Sequence, residues 1–381
     1  MQYRKSMDFQ FHFPTTFIVL AFILLPTACR QTKSEWKGSI EEKNGMVIVK
    51  NPDEPLYKDP IFTLEEELSI GGAEEREEYI FMEMSRTAID DDGNIYILDR
   101  RGAQIKVFDS RGTYLRAIGK RGQGPGEFQN PIEMFITPHH EIMVEDFGNR
   151  RLSFYTLEGK HLRDQNFGDM LLGKIDIDPE GNVYAMTTQY YVPTENGFHI
   201  GQYMIKKFDA HMNFLYTLTS SRVPEQMDHF MYYFMLQFDI THDGNIIVGN
   251  GRDYVLDIFD SEGNVIRRIE KKHTPVEVTP EAVREQKKNQ LFQLKTKVPT
   301  HHSAYRSFTW NEDNRIYVWT WEKTLDGSKY FYDVFDFEGR YIAKMPLSIE
   351  PWILKNDKLY TRGEDENGYH VAKRYKVIWN R

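Results

Sequence analysis

Apolar and polar residues alternate with period two in short runs along most of this chain, and Asp, Gly and Asn break the runs at regular intervals. The clearest stretch is Ile89-Asp-Asp-Asp-Gly-Asn-Ile-Tyr-Ile-Leu98, followed after a gap by Ile105-Lys-Val-Phe-Asp-Ser-Arg-Gly-Thr-Tyr-Leu-Arg-Ala-Ile118. Such alternation fits half-buried strands. Asp92-Gly93-Asn94 and Asp109 to Gly112 supply the turns, because Gly accepts positive φ and an Asp carboxylate accepts nearby backbone N–H groups. The predicted unit is strand, turn, strand, loop, strand, turn, strand.

The unit recurs. Its first halves begin at Phe135, Ile175, Phe238 and Phe308, and its second halves run from Leu152, Ile205, Leu256 and Tyr332. A weaker sixth copy opens at Trp352 and ends in Lys373-Arg-Tyr-Lys-Val-Ile-Trp379. The second-turn positions 112, 159, 213, 263 and 339 are spaced by 47, 54, 50 and 76 residues. A period near 50 with four strands per unit predicts the blades of an all-β, six-bladed β-propeller over 61–381. A β-sandwich or two smaller β domains would not need such even spacing. The sixth unit lacks a fourth strand, and Leu64-Glu-Glu-Glu-Leu-Ser-Ile-Gly71 matches the missing one. An N-terminal strand is therefore expected to close the last blade and remove two exposed edges.

The N-terminus follows another pattern. Arg4 and Lys5 precede the apolar run Phe17 to Leu25, which is too short to span a bilayer comfortably. Leu25-Pro-Thr-Ala-Cys29 resembles a bacterial lipobox, with Pro26 departing from the usual Leu. Residues 1–28 are thus expected to be a lipoprotein signal peptide, read from Met1 or Met7, and Cys29 the lipidated residue. Cys29 is the one cysteine, so no disulfide forms within the chain. The polar stretch 29–60 is expected to be a tether. The net charge of −9 argues against nucleic acid as a partner.

Gly119-Lys-Arg-Gly-Gln-Gly-Pro-Gly-Glu-Phe-Gln-Asn-Pro131 looks like the linker between NHL repeats, and the Asp-Gly-Asn and Phe-Asp-x-x-Gly turns look like the same repeat. Residues 61–381 are similar to the six-bladed β-propeller lipoproteins of Bacteroidota and related Gram-negative bacteria. The resemblance implies export to the outer membrane, on its periplasmic side or at the cell surface. It implies no agreed activity.

In NHL-like blades the residues just before the first strand approach the axis. Here these are Arg86, Glu133, Lys174, Gln237, Arg306 and Trp352, each to within about two positions. Three cations and one carboxylate suit an anionic or sugar-like ligand. They repel a hard divalent cation. A binding module for an envelope protein, a glycan or a small anion is therefore expected, anchored to the membrane through Cys29. The alternative is a metal-assisted lactonase- or lyase-like enzyme with its site in the channel. No cofactor is expected: no Gly-x-Ser-x-Gly elbow occurs, Gly122 to Gly126 is not a phosphate loop, and His139-His140, His199 and His301-His302 lack transition-metal spacing.

Two insertions stand out. Tyr190 to Gly201 is an aromatic loop in the third unit. In 272–302, Thr279-Pro280-Glu281 predicts a helix start, with Val283, Leu291 and Leu294 on one face. That helix is expected to pack over one propeller face. Met227 to Leu236 is rich in aromatics and Met and suits inter-blade core or an apolar partner surface.

Overall fold

A computed structural model describes residues 35–73, 76–194, 197–222, 236–288, 300–348 and 352–380. The expected signal peptide, Cys29, Leu291, Leu294 and most of Met227 to Leu236 lie outside these residues.

Six sheets, each built on four antiparallel strands, form a six-bladed β-propeller. Blade I comprises Met84–Ile89, Ile95–Asp99, Gln104–Phe108 and Tyr114–Ile118. Blade II comprises Pro131–Ile136, Glu141–Asp146, Arg151–Thr156 and His161–Asn166. Blade III comprises Leu172–Ile177, Val183–Thr194, Gly197–Phe208 and Phe214–Arg222. Blade IV holds Gln237–Ile240, Ile246–Gly249, Val255–Phe259 and Val265–Lys271. Blade V holds Ser307–Asn311, Arg315–Lys323, Tyr330–Phe335 and Tyr341–Leu347. Blade VI takes Trp352–Lys355, Lys358–Glu364 and His370–Trp379 from the C-terminus, and Phe62–Gly71 as its outer strand. That outer strand pairs antiparallel from Phe62 opposite Trp379 to Gly71 opposite Val371, so the two ends of the ring are sewn together as expected. The first strands touch between blades I and II, III and IV, IV and V, and V and VI, and blade VI meets the first strand of blade I through its second and third strands.

The turn chemistry repeats in atomic detail. Asp109 accepts N–H bonds from Arg111 and Thr113 at 2.9 and 2.8 Å, Asp260 from Glu262 and Asn264 at 3.0 and 2.8 Å, and Asp336 from Glu338 and Arg340 at 3.1 and 2.9 Å. These Asx turns satisfy backbone donors that the reversal would otherwise leave unpaired. Blades are latched to one another by a second repeated device. Arg374 donates to the Ser110 carbonyl, Lys207 to that of Ser261 and Arg267 to that of Phe337, each reaching the third turn of the next blade.

The segment expected as a free tether is different from Gly38 onward. Ser39–Lys43 and Met46–Asn51 form a hairpin whose second strand runs parallel to Val265–Lys271 and extends blade IV to six strands. The continuous apolar run Met46-Val-Ile-Val49 explains this, since Val49 becomes fully buried. Asn51 then bridges two blades. Its amide donates to the carbonyls of Glu270 and Gly339, and its carbonyl accepts from the Tyr341 N–H and the Trp36 indole. Gly339 has φ +86, and a Cβ there would sit 2.7 Å from the Ile269 side chain, so this close approach requires glycine.

Antiparallel order decides which loops share a face. The connections between blades, and the hairpins between second and third strands, all lie where the first strands begin, here called the leading face. The other two turns of each blade lie on the opposite, turn face. The aromatic insertion of blade III is a prolonged hairpin of its second and third strands on the leading face, pairing as far as Thr194 with Gly197. The insertion between blades IV and V also rises there. It carries the helix Pro280–Lys288, with Thr279 Oγ1 accepting the Ala282 N–H at 3.2 Å as an N-cap. The legs of this insertion meet in a short ladder, Val278 N–H to the Thr300 carbonyl and His302 N–H to that of Val276.

Candidate functional site

The inner strands bring most of the expected channel residues together, in pairs rather than as a free cationic ring. Arg86 is ion-paired with Glu133 of the next blade. Lys174 contacts Asp239 at 2.8 Å across blades III and IV. The Lys174 side chain is 43% exposed. Burial works against its ammonium, and Asp239 and Asp176 override it, holding the pKa above the ordinary lysine value.

Asp176, Asp239, Glu145 and Arg362 were not among the expected site residues. A period-two signal existed for two of them. Asp176 and Asp239 lie two residues after Lys174 and Gln237, hence on the same side of their strands. Asp239 accepts the Trp310 N–H of blade V at 2.8 Å, and Asn311 likewise accepts the Leu354 N–H of blade VI at 3.1 Å. Inner side chains thus stitch blade IV to the backbone of blade V, and blade V to that of blade VI. Burial raises the Asp176 carboxyl to about 7, with Lys174 opposing and Asp239 adding to the rise. Glu145 pairs across the strand with Glu133, and burial, reinforced by Glu133, lifts it to about 8. Arg362 is lowered to about 10 by burial and then by Arg86. Glu145 and Arg362 come from second strands, where the position before a first strand gives no hint of them.

Gln237 and Arg306 are joined differently. The Gln237 amide donates to the Arg306 carbonyl at 2.8 Å, and its own side-chain oxygen is buried without a partner. Trp352 opens the inner strand of blade VI, and its side chain lies outside the described residues. The Arg306 guanidinium turns into blade V, 3.5 Å from the Trp319 ring centroid, 4.5 Å from that of Tyr330 and 4.6 Å from that of Trp321. The backbone fixes it there, since Arg306 N–H donates to the Trp319 carbonyl at 2.7 Å. His302, at the foot of the insertion, stacks on Trp321 at 4.0 Å, and the Trp321 indole donates to Ser303 at 3.0 Å. Burial, and then Arg306, lowers His302 to about 4, so it is neutral at physiological pH. Lys323 sits 4.7 Å over the other reach of Tyr330.

The result is a box of aromatic rings on the leading face around a guanidinium that has no carboxylate partner among the described residues. Stacking on rings satisfies the flat face of the cation and leaves its N–H edge for acceptors. His139 and His140 lie in the first turn of blade II, on the turn face, with His140 3.5 Å from Asp91. Among the described residues no three His, Cys, Asp or Glu side chains gather as a metal site.

Residues 74–241 match the family model DUF5128, described as a 6-bladed beta-propeller. Two solved structures superimpose over most of the chain. A candidate exported protein of Bacteroides fragilis has a TM-score of 0.55 at 10% identity, covering 87% of this chain and 99% of its own. A member of the DUF4221 family from Bacteroides vulgatus has a TM-score of 0.53 at 12% identity, covering 84% and 99%. At these identities the likeness carries the fold alone. Among curated proteins, the human E3 ubiquitin-protein ligase TRIM32 is 30% identical over 60 residues, a match spanning 16% of this chain and 9% of that protein.

Proposed function

We propose that this propeller is an exported, lipid-anchored binding module of the outer membrane, and that the ligand it holds on its leading face is anionic. The guanidinium of Arg306 carries the reading. The other two cations of the expected channel set, Arg86 and Lys174, already face carboxylates. Arg306 is held in place by three rings and by its own backbone, so its donors are pre-oriented at little further entropy cost. A carboxylate, phosphate or sulfate group fits such an edge bidentately. Trp321 and Tyr330 would then flank whatever carries the charge, which suits an acidic glycan or an acidic side chain of an envelope protein.

Titration of the mature protein with glucuronate and with glucose tests this. Glucuronate should bind more tightly, and Arg306→Ala should weaken it by about tenfold or more, as loss of a charge-assisted pair implies, without changing the thermal transition by more than the lost stacking explains. Equal binding of both sugars, or an unaffected Arg306→Ala, would remove the reading. Metal-dependent opening of a lactone by the purified protein would replace it with the enzymatic one.

The anchor is tested separately. Cys29→Ser should move the protein from the detergent-extracted membrane fraction to the soluble fraction of the envelope, as loss of the lipid predicts. Retention in the membrane would mean that something other than lipid holds it.

A further inference from the structure

At one strand position the blades differ in a way that opens a cleft. One position of each second strand, equivalent in the repeat, packs toward the next blade. It is tyrosine in blades I, III, V and VI, namely Tyr96, Tyr184, Tyr317 and Tyr360, all buried, and Met143 in blade II. In blade IV it is Ile247. In blade I the tyrosine hydroxyl donates to Asp90 at 3.0 Å and to the Leu157 carbonyl of the next blade at 3.3 Å. In blade V it donates to Asp313 at 2.6 Å.

Where blade IV lacks that ring, a cavity of about 450 Å³ lies between blades IV and V on the turn face. Ile247 and Ile316 form its apolar floor and Trp310 one wall, stacked against His242 at 5.3 Å, while Phe337, 66% exposed, stands at the rim. Asp243 also lines it. Asp243 occupies the same turn position as Asp313, the residue that accepts the tyrosine hydroxyl in blade V. It already accepts from Thr241 and Asn245, but a carboxylate has about four acceptor sites.

We propose that this cleft binds a hydroxylated aromatic ring from outside the chain, in the place that four other blades fill with their own tyrosine. The ring enters between Trp310 and the isoleucine floor, and its hydroxyl donates to Asp243. This site is on the opposite face from Arg306 and stands independently of the function proposed above.

The test uses the mature protein with p-cresol, N-acetyl-tyrosinamide and toluene as probes, followed by ¹H NMR or calorimetry. p-Cresol or the tyrosine amide should bind measurably more tightly than toluene. Ile247→Tyr should reduce phenol binding at least tenfold while raising the melting temperature, because the protein then supplies the ring itself. Ile247→Met, the side chain that blade II tolerates here, gives the same comparison if the tyrosine variant does not fold. Asp243→Asn should narrow the preference for p-cresol over toluene, and Arg306→Ala should leave phenol binding unchanged. Undiminished p-cresol binding by both Ile247 variants would overturn the proposal. So would a wild-type protein that prefers toluene, or that binds none of the three.

Discussion

Asp333→Ala is expected to destabilise the protein by about 3–5 kcal/mol, the cost typical of stripping one partner from a buried ion pair. Asp333 is 0% exposed, and the Lys271 side chain is 1% exposed, with its ammonium 3.4 Å away. The carboxylate also accepts the hydroxyls of Tyr254 at 2.6 Å and Tyr341 at 2.7 Å. The ammonium lies over both of those rings, at 5.0 and 4.7 Å. Removing Asp333 therefore strips two hydroxyls of their acceptor in a buried interface between blades IV and V, and leaves the Lys271 ammonium with only the half-exposed Asp53 at 3.4 Å and the Lys272 carbonyl at 3.0 Å. Lys271→Met should cost a similar amount for the mirror reason. Removing both charges with apolar replacements should recover much of the loss, because no uncompensated charge remains. Urea unfolding of the two single variants and the double variant measures this. Additive losses would show that the pair is not coupled and would defeat the argument.

Glu145→Gln is expected to change how stability responds to pH. The side chain is 1% exposed, and one of its oxygens has no partner. Burial foremost, then the neighbouring Glu133, raises its pKa to about 8 against the opposing pull of Arg86. In the unfolded chain the same group titrates near the ordinary value of about 4.3. Between those values the native state holds a proton that the unfolded state has released. Stability then falls as pH rises, at about 1.4 kcal/mol per unit, fully present below the unfolded pKa and lost by the folded one. The accumulated loss is on the order of 4 kcal/mol by pH 8. Glutamine cannot ionise, so the variant should match the wild type near pH 5 and exceed it at pH 8. Asp176, raised to about 7 mainly by burial, adds a smaller decline of the same sign, which the variant keeps. Melting curves across pH 5 to 9 decide the matter. A variant destabilised equally at both ends would mean that the glutamine simply does not fit.

The propeller was legible because each blade repeats the same local solutions. Asp109, Asp260 and Asp336 announce their turns in the sequence and make the expected bonds in the structure. The closing strand was legible because one unit lacked what the other end supplied. The hairpin on blade IV was not. It matches no repeat, and its parallel partner is distant in the chain, with Lys50 opposite Glu270. Arg306 was found as a residue near the first strand, but its direction was not. Trp319, Trp321 and Tyr330 come from the next two strands, and strand period alone does not tell which of two faces a long side chain folds back on. The carboxylates of the inner ring escaped for the opposite reason: the repeat points to one residue near the start of each inner strand, and Asp176 and Asp239 stand two places beyond Lys174 and Gln237.

The seat of Trp36 and Asn51 against blades IV and V has a mechanical consequence. With acyl chains on Cys29, only residues 30–35 separate the lipid from the first pinned side chain, and an extended chain reaches at most about 3.6 Å per residue. The leash would then be roughly 25 Å long. Lipidation of Cys29 as proposed would therefore keep the rim at blades IV and V close to the bilayer, so molecules sharing the same surface would meet the propeller by lateral diffusion in two dimensions.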